Sequence, residues 1–229
     1  TTTSGSGTIS LGPVGAGTFT TGNAIEINTL TITGAGAITL NGDISTDNEA
    51  NSEVSITGDV VLTADADNAI TITTASGNGD VTISGNVDGT NLADQSLIID
   101  SGSGAVSIGT IGTTAATANV NKIEINKTDN KTGTIAVGNI GSATFAGADG
   151  AVYLGNANSV SVTLSGSIYN FDSTVNIQAA AAGSQNDIRL TSSTGTNIKS
   201  SDDTITFETG VIKLTAGETK IESSERRSP

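Results

Sequence analysis

Acidic side chains are the residues of this chain best suited to do chemistry. Asp43, Asp47, Glu49 and Glu53 crowd one stretch, and Asp65 with Asp67 sit in another about one repeat further on. Carboxylates at that density are hard oxygen donors, of which calcium takes about six to eight. Asp43, Asp47, Glu49, Asp65 and Asp67 are therefore a candidate calcium site if the fold brings the two stretches together between coils. The Gly-Gly-x-Gly-x-Asp pattern of calcium-binding nonapeptides is absent, and a solvated acidic edge is the plainer reading of the same charges. Hydrolysis of a glycosidic bond asks for two carboxylates across a groove, usually with aromatic platforms. Asp202-Asp203 is the only adjacent acid pair, and it precedes Thr204 in a polar turn. Arg189 lies outward between Ile188 and Leu190, the pattern of a cross-strand surface charge. Tyr153 and Tyr169 are two isolated rings, a poor sugar-stacking groove. No residue is assigned to catalysis, and the chain reads as non-enzymatic.

Histidine, cysteine and methionine are absent, which removes the commonest general base, the thiol nucleophile and the soft metal ligands. A formal charge of −14 speaks against nucleic acid, whose phosphates demand clustered Lys and Arg. No run approaches the roughly 18 apolar residues that span a bilayer, so membrane insertion is not expected. Asn-Lys-Thr sequons at Asn126 and Asn130 read as a solvated turn. Thr-x-Thr triplets, such as Thr31 to Thr33 and Thr71 to Thr73, fall on different strands at wandering spacing. β-propensity explains them better than a flat ice-binding face.

Whatever these side chains do, a recurring phrase must position them: two aliphatic residues one apart, a glycine, a turn-type residue and another aliphatic. It reads Ile38-Thr-Leu40-Asn-Gly42-Asp-Ile44, Val54-Ser-Ile56-Thr-Gly58-Asp-Val60, Val81-Thr-Ile83-Ser-Gly85-Asn-Val87 and Val162-Thr-Leu164-Ser-Gly166-Ser-Ile168. Copies one residue shorter are Ile9-Ser-Leu11-Gly12-Pro-Val14, Val106-Ser-Ile108-Gly109-Thr-Ile111 and Ile135-Ala-Val137-Gly138-Asn-Ile140. Each is a strand, a sharp corner and the start of another strand. Between them lie further alternating strands, among them Ala69-Ile-Thr-Ile-Thr73, Lys122-Ile-Glu-Ile-Asn126 and Thr174-Val-Asn-Ile-Gln178.

The phrases recur about every 21 to 29 residues, counted through Ile38, Val60, Val81, Val106, Ile135, Val162 and Ile188. That is the coil length of a right-handed parallel β-helix, whose turns stack about 4.8 Å apart. The expected fold is all-β, a β-solenoid of about eight or nine irregular coils with Ile, Val and Leu stacked in ladders along its axis. A content of 35% hydrophobic residues, with four Phe, two Tyr and no Trp, suits such a narrow core. Residues 1–217 form one domain, 1–7 a strand-prone leader, and 218–229 a polar tail.

The stretches 58–73, 79–89 and 95–109 resemble the β-strand repeats of very large bacterial exoproteins. They are similar to filamentous-haemagglutinin and autotransporter passenger regions, and the likeness covers about residues 5 to 215. The resemblance implies a parallel β-helix on or shed from the cell surface, a role in adhesion, matrix or filament, and no cofactor. It carries no functional residues that map onto this chain one by one.

A β-helix leaves unpaired N–H and C=O groups on its first and last coils, and such edges invite another chain. The uncharged start Thr1-Thr2-Thr3, which reads as that of a processed chain, together with Ile9 and Leu11, faces Ile212 and Leu214 at the other end as the expected head-to-tail contact. The expected function is a secreted structural protein, the subunit of an extracellular filament or surface matrix. The alternative is a monomeric adhesin or stalk whose loops bind a receptor or surface glycan.

Overall fold

The computed structural model describes residues 2–4, 9–11, 29–46, 52–63, 69–74, 78–90, 95–128, 130–180, 187–201, 204–209, 211–214 and 217–223. The first two of these segments are described by their backbone. In chain order the strands begin with β1 (Thr2–Ser4), β2 (Ile9–Leu11), β3 (Leu30–Gly34), β4 (Ile38–Leu40), β5 (Ile44–Ser45), β6 (Val54–Thr57), β7 (Val60–Leu62) and β8 (Ala69–Thr73). The middle holds β9 (Val81–Asp88), β10 (Ser96–Asp100), β11 (Val106–Ile111), β12 (Ile123–Ile125), β13 (Ile135–Val137), β14 (Val152–Leu154) and β15 (Ser161–Leu164). β16 (Ile168–Phe171), β17 (Val175–Gln178), β18 (Asp187–Leu190), β19 (Thr196–Ser200), β20 (Ile205–Glu208), β21 (Ile212–Leu214) and β22 (Thr219–Ser223) complete the described chain. No helix occurs among the described residues.

Every strand pairing is parallel, and each strand meets its counterpart one coil away, which makes the molecule a β-solenoid. Three stacks run along it. The first is β1-β3-β6-β9-β11-β13-β15-β18-β21, and the third is β5-β8-β10-β12-β14-β17-β20. The second runs from β2, β4 and β7 into the latter half of β9 and then Ile111. It continues through single bridges at Ile140 and Tyr169 into β16, β19 and β22. The first stack holds nine strands and the third seven, so among the described residues about six turns close on all faces, slightly fewer than the eight or nine coils expected from spacing.

The register explains the uneven spacing. Val81 stacks on Val54, while Val60 stacks on Val87, so Val60 to Val81 is not one turn. The same phrase serves two corners: in Ile38–Ile44 it turns from the second stack into the third, and in Val54–Val60 from the first into the second. The phrase therefore falls once per coil but not always at the same corner, which makes its spacing uneven.

Period-two alternation of β-branched and aliphatic residues puts one set of side chains inside. Ile32, Ile56, Ile83, Ile108, Val137, Leu164 and Leu190 form one inward ladder, each at most 3% exposed. Ile44, Ile72, Ile99, Ile125, Leu154 and Ile177 form another on the third stack. Burial of each such side chain contributes about 1.5–3 kcal/mol against the entropy of ordering the chain. The corners need glycine because successive backbones nearly touch there. A Cβ on Gly85 would lie 2.1 Å from the Gly58 carbonyl oxygen, and one on Gly138 only 1.8 Å from that of Gly109. The residue after the glycine then ties coil to coil: Asp59 Oδ1 accepts from Asn86 N–H at 3.0 Å, and Asn139 Oδ1 from Ser167 N–H at 2.8 Å.

One boundary differs from expectation. Residues 219–223, read from sequence as part of a polar tail, form β22 on β19, with Ile221 in register with Ile198. One aliphatic among Thr, Lys, Glu and Ser is too weak a pattern to read alone. At the other end Thr2–Ser4 form β1, in which Thr2 and Thr3 pair with Ile32 and Thr33.

Candidate functional site

The last described coil breaks the burial rule that holds elsewhere. Ile212 and Leu214 continue the ladder of Ile188 and Leu190, which are 0% and 2% exposed, yet they are themselves 48% and 60% exposed. Ile221, in register with fully buried Ile198, is 51% exposed. Ladder positions are apolar here because the next coil would cover them, and this coil presents them uncovered. The structure places Thr2, Thr3, Ile9 and Leu11 at the opposite end, in β1 and β2, where Ile9 and Leu11 take the register of Ile38 and Leu40. The residues expected from sequence to join copies thus separate into two end surfaces; Thr1 lies outside the described residues.

The exposed coil is anchored by charge. Asp187, its side chain 1% exposed, takes Arg189 Nε on one carboxylate oxygen at 2.5 Å and Lys213 Nζ on the other. Burial pushes the Asp187 carboxyl up, but the two cations outweigh it and hold it below the usual carboxylate range. Arg189 points outward as the sequence suggests, but its partner Asp187 lies on its own strand and not across from it.

The candidate calcium residues are not assembled into a described site. Asp43 Oδ1 accepts the Thr71 N–H of the next coil at 2.7 Å, a structural bond, and Asp47, Glu49, Asp65 and Asp67 lie outside the described residues. Among the described residues no three acids gather. Asp202 and Asp203 also lie outside them.

Aromatic and sequon residues are used by the fold. Tyr169 is fully buried; its hydroxyl donates to Val137 O at 2.9 Å and accepts from Gly166 N–H at 2.8 Å. Burial raises its ionisation well above the usual tyrosine range, so this ring is no sugar platform. In β16 the alternation slips by one residue, and Tyr169, not Ile168, takes the place in line with Ile140 and Ile198. Tyr153 faces outward under Lys127, whose Nζ lies 3.9 Å from the ring centroid. Lys122 and Lys127 converge on Glu124; burial pushes that carboxyl up, and the two ammonium groups bring it below its usual value. Asn126 is 1% exposed, with φ of 48°, and its amide bonds Ser101, so it offers no glycan acceptor.

Charge is spread unevenly along the sequence. Residues 1–121 contain twelve acids and no Lys or Arg, whereas residues 122–229 contain eleven acids and nine bases. Because the coils stack in chain order, this is a charge gradient along the solenoid axis. Comparison of the chain with models of protein families, with curated proteins and with solved structures returns no match.

Proposed function

We propose that the chain is a non-enzymatic structural β-solenoid that works outside the cell, its copies joined head to tail into a filament or surface matrix. The observation that carries this reading is the exposed apolar ladder of Ile212, Leu214 and Ile221, each in register with a buried ladder residue one coil earlier. Head-to-tail addition of a second copy through its β1 and β2 end continues the parallel stacking of the solenoid, which makes that end the partner with matching geometry. The first 37 residues hold a single charged side chain, Glu26, so that end brings few charges to desolvate. Negative-stain microscopy of the purified chain tests the reading beside a Leu214→Asp variant, whose exposed position spares the fold. Filaments should appear above a threshold concentration and be lost in the variant. Single short rods at every concentration would instead favour a receptor-binding stalk, or an end covered by further coils of a longer polypeptide.

A further inference from the structure

A cleft on the flank of the solenoid, away from both ends, is built around two carboxylates that face the same way on successive coils. Val120, Ala148 and Phe171 are bridged in register, and the residues that follow the last two are Asp149 and Asp172. Asp149 N–H donates to Val120 O at 3.0 Å, and Asp172 N–H to Ala148 O at 3.1 Å, which holds the two acids in equivalent places one coil apart. Stacked coils are about 4.8 Å apart, and like charges directly opposite across a sheet repel. Neither acid takes part in an ion pair among the described residues. Lys199, which also lines the cleft, directs its ammonium to the Ala143 carbonyl at 3.1 Å.

Asn119 lines the same cleft, whose volume is about 370 Å³. The residue is 6% exposed, and its Nδ2 donates to Asp149 Oδ1. Its Oδ1 is buried with no hydrogen-bond partner. Buried polar oxygens are almost always satisfied, so an orphan beside two unneutralised carboxylates points to a missing electrophile.

We propose that Asp149, Asp172 and the Asn119 side-chain oxygen hold a hard divalent cation of the calcium class, clamping two coils together. The cation neutralises both carboxylates and gives the orphaned oxygen its partner, with water completing a coordination shell of about six to eight oxygens. Three protein oxygens make a weak site, with an expected Kd on the order of 10⁻⁴ to 10⁻³ M, the range of extracellular calcium modules. This site is separate from the acidic stretches around Asp47 and Asp65.

The test is calcium titration of the full chain by calorimetry, with thermal melting at constant ionic strength, for the wild type and for Asp172→Asn and Asp149→Asn. In chelator, both variants should melt at or above the wild type, because the substitution removes a like-charge pair. With calcium raised to about 10 mM, the wild type should gain melting temperature, and both variants should lack one binding component and most of that gain. The proposal is overturned by equal calcium responses in wild type and variants, by no calcium binding to the wild type, or by variants that melt lower in chelator.

Discussion

Asp187 shows how much one side chain can carry in a molecule with so few cations. Its carboxylate is buried, and its partners Arg189 and Lys213 are 34% and 48% exposed. Replacing it by Asn leaves cations that water can still reach, so Asp187→Asn should cost about 1–2 kcal/mol at neutral pH. The pH dependence follows from the direction of its shift. A carboxyl whose folded pKa is depressed stabilises the fold above its unfolded pKa of about 3.9, and loses that contribution as pH falls through the folded value. Urea unfolding should therefore separate wild type from variant by a constant amount above about pH 5 and bring them together in stronger acid. A gap that persists at low pH would remove the ion pair as its cause. Sequence alone places Arg189 outward, because alternation fixes the side of a strand. It does not reveal Asp187 as the partner, since a buried acid at the start of a strand looks like any solvated one. Tyr169 shows the reverse failure: one slipped residue in β16 turns a ring read as surface into core, and nothing local in Ile168-Tyr-Asn-Phe171 announces the slip.

At the scale of strands, each inward residue is held by the coils before and after it, so its value depends on having both. Ile108 lies between Ile83 and Val137 and is 3% exposed, whereas Ile212 follows Ile188 and stays 48% exposed. Ile108→Ala should cost about 2–5 kcal/mol through lost transfer energy and the cavity left behind. Ile212→Ala should cost under about 1 kcal/mol in the monomer, because much of its surface already meets water. Denaturant midpoints of the two variants under non-assembling conditions measure the difference. Equal costs would mean that the last coil is covered in solution. The ladders were the most legible part of this fold, since alternating Ile, Val and Leu name their own inward faces. The coil boundaries were less so. A glycine corner has the same grammar whether it joins the first stack to the second or the second to the third, and only backbone register tells which. The candidate cation cleft left no mark in the sequence, because Asn119, Asp149 and Asp172 come together through stacking of residues about 23 to 30 positions apart.

For the whole molecule the decisive quantity is how charge is spread along the axis. Twelve of the 23 acids and none of the nine bases lie in residues 1–121, so the N-terminal half carries most of the net charge of −14. Head-to-head contact would bring two such halves together, whereas head-to-tail stacking alternates acidic and nearly balanced halves and keeps the acidic ones apart. In the proposed assembly, repulsion between copies opposes growth, because every copy adds the same negative charge. The C-terminal coil offers exposed apolar ladder residues and the terminal strands offer backbone edges, interactions that salt does not weaken. Raising sodium chloride from about 0.02 to 0.15 M shortens the screening length from roughly 20 Å to about 8 Å. The critical concentration for filament growth, followed by light scattering or sedimentation, should therefore fall as salt rises. An assembly held by ion pairs between ends would behave oppositely, its critical concentration rising with salt. That outcome would shift the contact from the ladder of Ile212 and Leu214 to the lysines and arginines of the C-terminal half.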